Sequence, residues 1–144
     1  MSRENVELVR RLQPPPEMDL VALFRDEEGA ARLLSTMGPY LHDDFVAGGS
    51  RIHESELVGL AGLRAGWADW LEPWESYRVE IENLIDAGDE AVVVLTRDYG
   101  RRAGMEAEIS IQGAAVWIVR DGKILRATFY TDRDTALEAA GLSG

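Results

Sequence analysis

The sequence predicts a single α+β domain, residues 1–144, in which helices precede a curved antiparallel sheet. Three observations predict it. Apolar residues recur at helical spacing as far as Leu71, and after Pro73 they alternate with polar residues at a period of two. Asp121-Gly122 stands between two apolar runs and is a strong hairpin signal, because both central turn residues need positive φ. The turns between strands are short, which indicates an antiparallel meander.

Four helices are predicted before the meander. Ser2 caps the first helix, which must end before Pro14-Pro15-Pro16. Asp19 caps a short second helix, and a third extends from about Glu27 to Gly38-Pro39. The fourth helix ends at Pro73 and carries one apolar face, formed by Leu60, Leu63, Trp67, Trp70 and Leu71.

The predicted strands fill most of the rest of the chain. Residues 40–47 favour a short strand, 48–50 a loop, and 51–58 an irregular segment or an edge strand. The meander is predicted to start at Trp74 and to continue through 91–99, 105–120 and 123–131, before a short helix from about Asp134. Arg97-Asp98 and Arg101-Arg102 are interpreted as a solvated turn. Glycines at 100, 104 and 113 allow such a sheet to curl into a cone with a hollow mouth, a natural small-molecule site.

Composition excludes several classes of function. The net charge is −11, from 26 acidic against 15 basic residues, so nucleic acid and anionic membrane surfaces are disfavoured as partners. The absence of cysteine excludes disulfides, thiolate metal sites and a cysteine nucleophile. No signal peptide or membrane-spanning apolar run is visible, so we expect a cytoplasmic protein.

The chain resembles the SnoaL-like polyketide cyclase family in three segments, SRENVELVRRL, GLAGLRAGWADWLEPWESYRVEIENLIDAGDEAVVVL and AAVWIVRDGKILRATFYTDRDTALEAAG. That family belongs to the cone-shaped superfamily of nuclear transport factor 2, ketosteroid isomerase and scytalone dehydratase. The resemblance implies a cone-shaped sheet wrapped around the N-terminal helices, a small hydrophobic ligand, no cofactor and a homodimer formed through the outer face of the sheet. Alternating Glu106, Glu108, Ser110 and Gln112 make part of that face polar.

The resemblance also implies a catalytic residue. The family's cyclases use an aspartate at the end of the last strand as an acid/base, and Asp132 is the position that looks equivalent. The alternative is that Asp132 caps the last helix, a role for which Asp134 competes. A ketosteroid-isomerase arrangement is disfavoured because its carboxylates would fall at Gly113 or Ala114 and near Ser50, where there is none.

Other candidates come from residue chemistry. His53 could assist catalysis near neutral pH or be an exposed loop histidine. His42 with Asp43 and Asp44 suggests a metal cluster only superficially, because adjacent residues rarely converge on one ion, and no metal is expected. The aromatic candidates for a cavity wall, which could equally be core residues, are Trp67, Trp70, Trp74, Trp117, Tyr40, Tyr99 and Tyr130.

Two classes of function remain open from the sequence. One is a cofactor-independent enzyme acting on a small hydrophobic carbonyl compound, with Asp132 as acid/base and His53 or a tyrosine assisting. The other is a non-catalytic binding or dimerisation module with the same cavity. In a third arrangement the protein's own side chains fill the cavity, and the domain is an interaction module.

Overall fold

The fold is an α+β arrangement in which a curved, open sheet is covered on its inner face by helices. It is given by a computed structural model that describes residues 2–49, 53–88 and 90–142. The helices are α1 Ser2–Arg11, α2 Leu20–Arg25, α3 Glu27–Met37, α4 Gly59–Leu71 and α5 Arg133–Ala139, with a 3₁₀ turn at Gly38–Tyr40. The strands are β1 Leu41–Gly49, β2 His53–Val58, β3 Trp74–Asp86, β4 Ala91–Arg102, β5 Ile109–Arg120 and β6 Lys123–Tyr130.

The sheet has six strands in the order β2-β1-β6-β5-β4-β3. The predicted meander of β3 to β6 is confirmed, and its last hairpin turns at Asp121 and Gly122 with φ of 56° and 77°. One pairing departs from the antiparallel prediction, because β1 pairs with β6 in parallel. Residues 53–58, predicted as irregular or edge strand, form the edge strand β2, and Gly48 and Gly49 belong to β1 instead of a loop. Ser50, Arg51 and Ile52 lie outside the described residues.

The interpretation of residues 97–102 as a solvated turn is wrong. These residues continue β4, whereas β5 begins at Ile109 instead of residue 105. The reason is that β4 satisfies its charges across the sheet. Arg97 pairs with Glu82 and Arg101 with Glu75 on one face, while Asp98 is fully buried on the other. The turn therefore lies further along, and Met105 within it is 54% exposed.

The main core lies between the inner face of the sheet and helices α1, α3 and α4. Val9, Leu34 and Leu63 supply one residue from each helix to this cluster. Helix α5 lies on the opposite, outer face, where Ala136 packs against Val93 and Val116. A second inner cluster gathers around Trp74 and Tyr77 beside α2, so the sheet separates two inner clusters from one outer cluster, and the main core contributes most of the wall of the candidate site.

Helix α2 protects the free edge of β3. The Asp19 carboxylate accepts from the Val21 N–H at 3.0 Å as the N-cap of α2, and from the Tyr77 N–H at 3.1 Å. The Arg25 guanidinium donates to the Trp74 carbonyl oxygen at 3.0 Å. Side chains therefore occupy backbone groups that an edge strand otherwise leaves open, and they fix Tyr77 in place.

In the described part of the chain, no helix is both long enough and apolar enough to cross a bilayer.

Candidate functional site

A cavity of about 550 Å³ lies between the inner face of the sheet and the N-terminal helices. This volume falls within the range of sites that take small molecules. Its wall is mainly apolar and includes Leu20, Phe24, Leu34, Met37, Leu63, Trp67, Val79, Val94, Ala115, Trp117 and Phe129. The segment that joins α1 to α2 contributes Pro14 and Pro15, so the proline block that ends α1 also forms part of the wall.

One acidic residue belongs to this wall in the described part of the chain. Asp98 is 0% exposed, and the Tyr77 hydroxyl donates a hydrogen bond of 2.5 Å to its Oδ2. Tyr77 on β3 pairs with Gly100 on β4, and Asp98 lies two residues before Gly100 on the same face. The tyrosine therefore reaches the carboxylate along the diagonal between neighbouring strands.

The surroundings of Tyr77 explain why this geometry is well defined. Its ring packs edge-on against Trp74, with centroids 5.4 Å apart, and against Trp70 at 6.3 Å. Gly100 makes room for these rings, because a Cβ atom there would lie 2.6 Å from Trp74 and 3.0 Å from Tyr77. Together with Asp19, these contacts hold the hydroxyl toward Asp98.

Two further polar groups of the wall are buried and have no hydrogen-bond partner among the described residues. They are the Thr96 hydroxyl and the Trp117 indole N–H. Thr96 lies two residues before Asp98 on the inner face of β4. Trp117 packs against Phe129, with centroids 6.0 Å apart. The wall thus holds hydrogen-bonding capacity that the described residues leave unused.

The mouth of the cavity is marked by Arg11 and Tyr40. Arg11, the last residue of α1, is exposed and also lines the cavity, so the cavity meets solvent there. Its guanidinium carbon lies 6.0 Å from the centre of the Tyr40 ring. Asp98 is fully buried, so one of the two charged residues of the wall meets solvent and the other does not.

Asp132, the catalytic candidate from the sequence, lies elsewhere. It is exposed and does not line the cavity. It is the N-cap of α5, accepting from the Asp134 N–H at 3.1 Å and the Thr135 hydroxyl at 2.7 Å. The Thr135 hydroxyl, followed by the Asp134 N–H, holds the pKa of Asp132 below its ordinary value. These features favour the capping interpretation, and Asp132 rather than Asp134 is the cap.

His42 is not among the residues that line the cavity. The backbone of His53 begins β2, and its side chain lies outside the described residues. His42 Nδ1 accepts from the Asp44 N–H at 3.1 Å. In the described ranges, no three histidine or acidic side chains are placed to hold a metal ion.

The predicted aromatic wall is divided between several environments. Trp67, Trp117 and Tyr40 line the cavity. Trp70 and Trp74 pack around Tyr77 behind it, and Tyr130 packs in the outer cluster with α5. Tyr99 faces outward beneath the Arg78 guanidinium, 4.0 Å from its ring centre.

Sequence reasoning missed Asp98 and Tyr77 as a pair, although a signal for them exists. Val92, Val94, Thr96 and Asp98 share one parity on β4, and the first two are core residues. Reading this alternation past Thr96 places Asp98 on the inner face. The arginines next to Asp98 favoured a different interpretation, because a cluster of charged residues is also typical of a turn.

The fold and the cavity define the class of cone-shaped nuclear transport factor 2-like domains. TerC, solved with polyporic acid, superposes with a TM-score of 0.64 at 20% identity, covering 96% of this chain and 98% of that one. An NTF2-like protein of unknown function from Burkholderia pseudomallei K96243 gives a TM-score of 0.64 at 13% identity, covering 94% and 95%. An LEH-like epoxide hydrolase from M. tuberculosis gives 0.54 at 19% identity, covering 96% and 89%.

The sequence profile of the SnoaL-like domain matches residues 20–127, so the chain belongs to the SnoaL-like family. No curated protein matches its sequence. At such identities the similar structures establish the fold, and the chemistry must be argued from the cavity itself.

Proposed function

We propose that the cavity binds a small, mainly apolar carbonyl compound and that Asp98 exchanges a proton with it. One observation carries this proposal: the acid of a mainly apolar wall is fully buried and hydrogen-bonded by Tyr77. A carboxylate that bulk water does not solvate is a stronger base toward a bound carbon acid, and Tyr77 keeps it oriented. Asp132, which the family resemblance suggested, is solvated and outside the cavity, so we assign the acid/base role to Asp98.

The wall suggests what the bound molecule needs. The Thr96 hydroxyl and the Trp117 N–H are donors without partners among the described residues, and a carbonyl oxygen is an acceptor that such donors can satisfy. The aromatic wall of Trp67, Trp117 and Phe129 favours a flat ring system. Polyporic acid, with which TerC was crystallised, is a reasonable first ligand to test.

The test is proton exchange, which requires no knowledge of the natural substrate. In D₂O, a base removes a proton from the carbon beside the carbonyl of 2-tetralone, and the enolate takes a deuteron from solvent. We expect the wild-type protein to accelerate this exchange and Asp98→Asn to lower the rate about 100-fold or more. Asp132→Asn, which changes a carboxylate outside the cavity in the same way, should keep the wild-type rate.

Binding must be measured beside the rate. N-phenyl-1-naphthylamine is neutral and fluoresces in apolar cavities, so its dissociation constant reports whether the cavity is intact. Loss of exchange with retained probe binding in Asp98→Asn supports the acid/base role. Equal exchange rates for the wild type and Asp98→Asn would exclude it, and a reduced rate in Asp132→Asn alone would restore Asp132 as the acid/base.

The second candidate is a binding domain without catalysis. It is favoured by the engagement of Asp98 Oδ2 with Tyr77, which gives the acid a structural role in the wall. In that case Asp98→Asn and Tyr77→Phe should lower the melting temperature together, and no 2-tetralone exchange above the buffer rate should be seen with the wild type.

The homodimer implied by family resemblance remains a proposal. On the outer face of the sheet, Arg78 pairs with Glu108 and Arg97 donates to Ser110. These contacts make the face polar, and its charged groups already have partners within the same chain. Sedimentation equilibrium of the purified chain tests the dimer directly, and a monomer at micromolar concentration would remove it from the proposed function.

A further inference from the structure

The mouth of the cavity carries a cation, Arg11, that has no carboxylate partner in the described part of the chain. Six arginines form ion pairs with glutamates in the described residues, namely Arg10, Arg78, Arg97, Arg101, Arg120 and Arg133. Arg11 lines the cavity and forms no such pair with any described residue. Other arginines also lack such a pair, but among the described residues Arg11 is the one basic side chain that lines the cavity, which makes it the candidate to meet an anionic group of a ligand.

The position of Arg11 suits a ligand group. The edge of the cavity beside it is formed by Tyr40 and Pro15, so a molecule entering there passes the guanidinium. The Tyr40 ring, 6.0 Å away, lies at the outer limit of a cation–π contact and leaves the guanidinium donors available. A guanidinium binds carboxylate groups through paired N–H donors, which favours an anionic oxygen group at this point.

The buried part of the wall imposes the opposite requirement. Asp98 is fully buried there, and most of the other lining residues are apolar. An anion brought there would lose its hydration against a mainly apolar wall and would meet a carboxyl group instead of a cation. The inner end of the ligand must therefore be uncharged.

We infer that the ligand is an amphipathic monoanion, with an acidic group against Arg11 at the mouth and an uncharged, flat apolar body toward Asp98. This rests on the proposed binding function and specifies its ligand class. It also gives a direction of binding, since the anion stays at the solvent end and the apolar end enters first.

Two probes with one skeleton test the inference. 1-Anilinonaphthalene-8-sulfonate and N-phenyl-1-naphthylamine share their rings, and only the first carries an anionic group, whose oxygens stand in for those of a carboxylate. We expect the full-length protein to bind the sulfonate more tightly than the neutral probe, despite the acidic charge of the chain. The Arg11→Gln variant should weaken sulfonate binding about 3- to 10-fold. Its binding of the neutral probe should change less than 2-fold, roughly the scatter expected for a surface substitution.

Arg10→Gln is the matched control, because it removes the same charge one residue earlier from a side chain that pairs with Glu7 and does not line the cavity. It should leave both affinities near wild type. Raising salt from about 0.01 M to about 0.5 M should weaken sulfonate binding to the wild type and to Arg10→Gln, and have little effect in Arg11→Gln.

The outcomes separate the two proposals. If neither probe binds in the cavity, as judged by quenching of Trp67 and Trp117, the proposed binding function fails. If the neutral probe binds and the sulfonate binds equally or more weakly, or if Arg10→Gln and Arg11→Gln have the same effect, the ligand class is wrong while the binding function stands. A circular dichroism melt shows whether Arg11→Gln remains folded, and Arg11→Lys should retain most of the preference for the anion.

Discussion

Charged side chains on the two faces of the sheet differ in their exposure to solvent. Two adjacent residues of β4 show the difference. Arg97 faces outward and pairs with Glu82 at 3.1 Å, within a group of ion pairs that water reaches. Asp98 faces inward, has no solvent exposure and is hydrogen-bonded by Tyr77. Partners and solvent neutralise the outer charges, so they contribute little chemistry. On the inner face Asp98 is shielded from bulk water, and this is the environment in which we propose that it acts on a bound molecule.

Asp98 and Asp132 show the same contrast between a buried and a solvated charged group. Asp98 and Asp132 both accept hydrogen bonds from hydroxyl groups, those of Tyr77 and Thr135. Asp132 stands in solvent at the start of α5, where it caps the helix and its pKa is lowered. The same residue type thus meets two different environments, which differ by the face of the sheet on which the backbone places it.

The largest effect is expected where the inner face is most crowded. Gly100→Ala places a Cβ atom 2.6 Å from the Trp74 ring, so the rings that support Tyr77 must move. Overpacking of this kind costs about 1–3 kcal/mol in the free energy of unfolding, which urea denaturation measures. Gly38→Ala, with nothing within 4 Å of its Cβ position, is the control and should not destabilise the protein. Equal losses in both variants would show that Gly100 is not a packing constraint.

A smaller effect, of opposite sign, is expected at Thr96. Its hydroxyl is buried in the cavity wall without a partner among the described residues, and an unsatisfied buried group costs about 1–3 kcal/mol. Thr96→Val removes that group, so the melting temperature should rise, and binding of N-phenyl-1-naphthylamine should be retained.

Thr128→Val, on the half-buried outer face of β6, is a comparison for the loss of a hydroxyl from a strand. A lower melting temperature in Thr96→Val than in Thr128→Val would mean that the Thr96 hydroxyl is satisfied in solution.

The smallest effect is expected at Asp132. Because its pKa is lowered in the folded state, its stabilising contribution is present above the ordinary aspartate pKa of about 3.9 and is lost as pH falls through the folded-state value. Asparagine caps helices about as well as aspartate. Asp132→Asn should therefore lower the melting temperature slightly at pH 7, and the difference from wild type should shrink in acid. A difference that grows as pH falls would contradict this assignment.

Much of the fold could be predicted from the periodicity of apolar residues and from the residues that end helices or form turns. Pro73 and Asp121-Gly122 mark the change from helix to strand and the last hairpin, and the structure agrees at both. The candidate site was harder to predict from the sequence, because the cavity depends on where α1 and α3 pack against the sheet. Trp67 and Trp70 illustrate this, since they lie on the same helix and only Trp67 lines the cavity.

The sequence analysis did not identify Asp98 as a site residue for a different reason. A sequence in which one acidic residue lies among arginines is typical of a solvated turn. Only the pairing of β3 with β4 shows that the strand continues to Arg102. Strand register also decides which tyrosine reaches the acid. The bulge between Ile81 and Asn83 changes the parity of β3 along its length, so the inward residues cannot be read from one end of the strand.

The parallel pairing of β1 with β6 has a consequence for how the chain folds. Val46 lies opposite Arg126, about 80 residues further along, and the next pair, Ala47 with Ala127, belongs to the main core. The hairpin of β1 and β2 cannot join the sheet until β6 has formed. Closing so long a loop is entropically costly, so this contact should form late and set the rate. During synthesis, α1 to α4 and the first hairpin would await the last strand, with their apolar side chains open to chaperones.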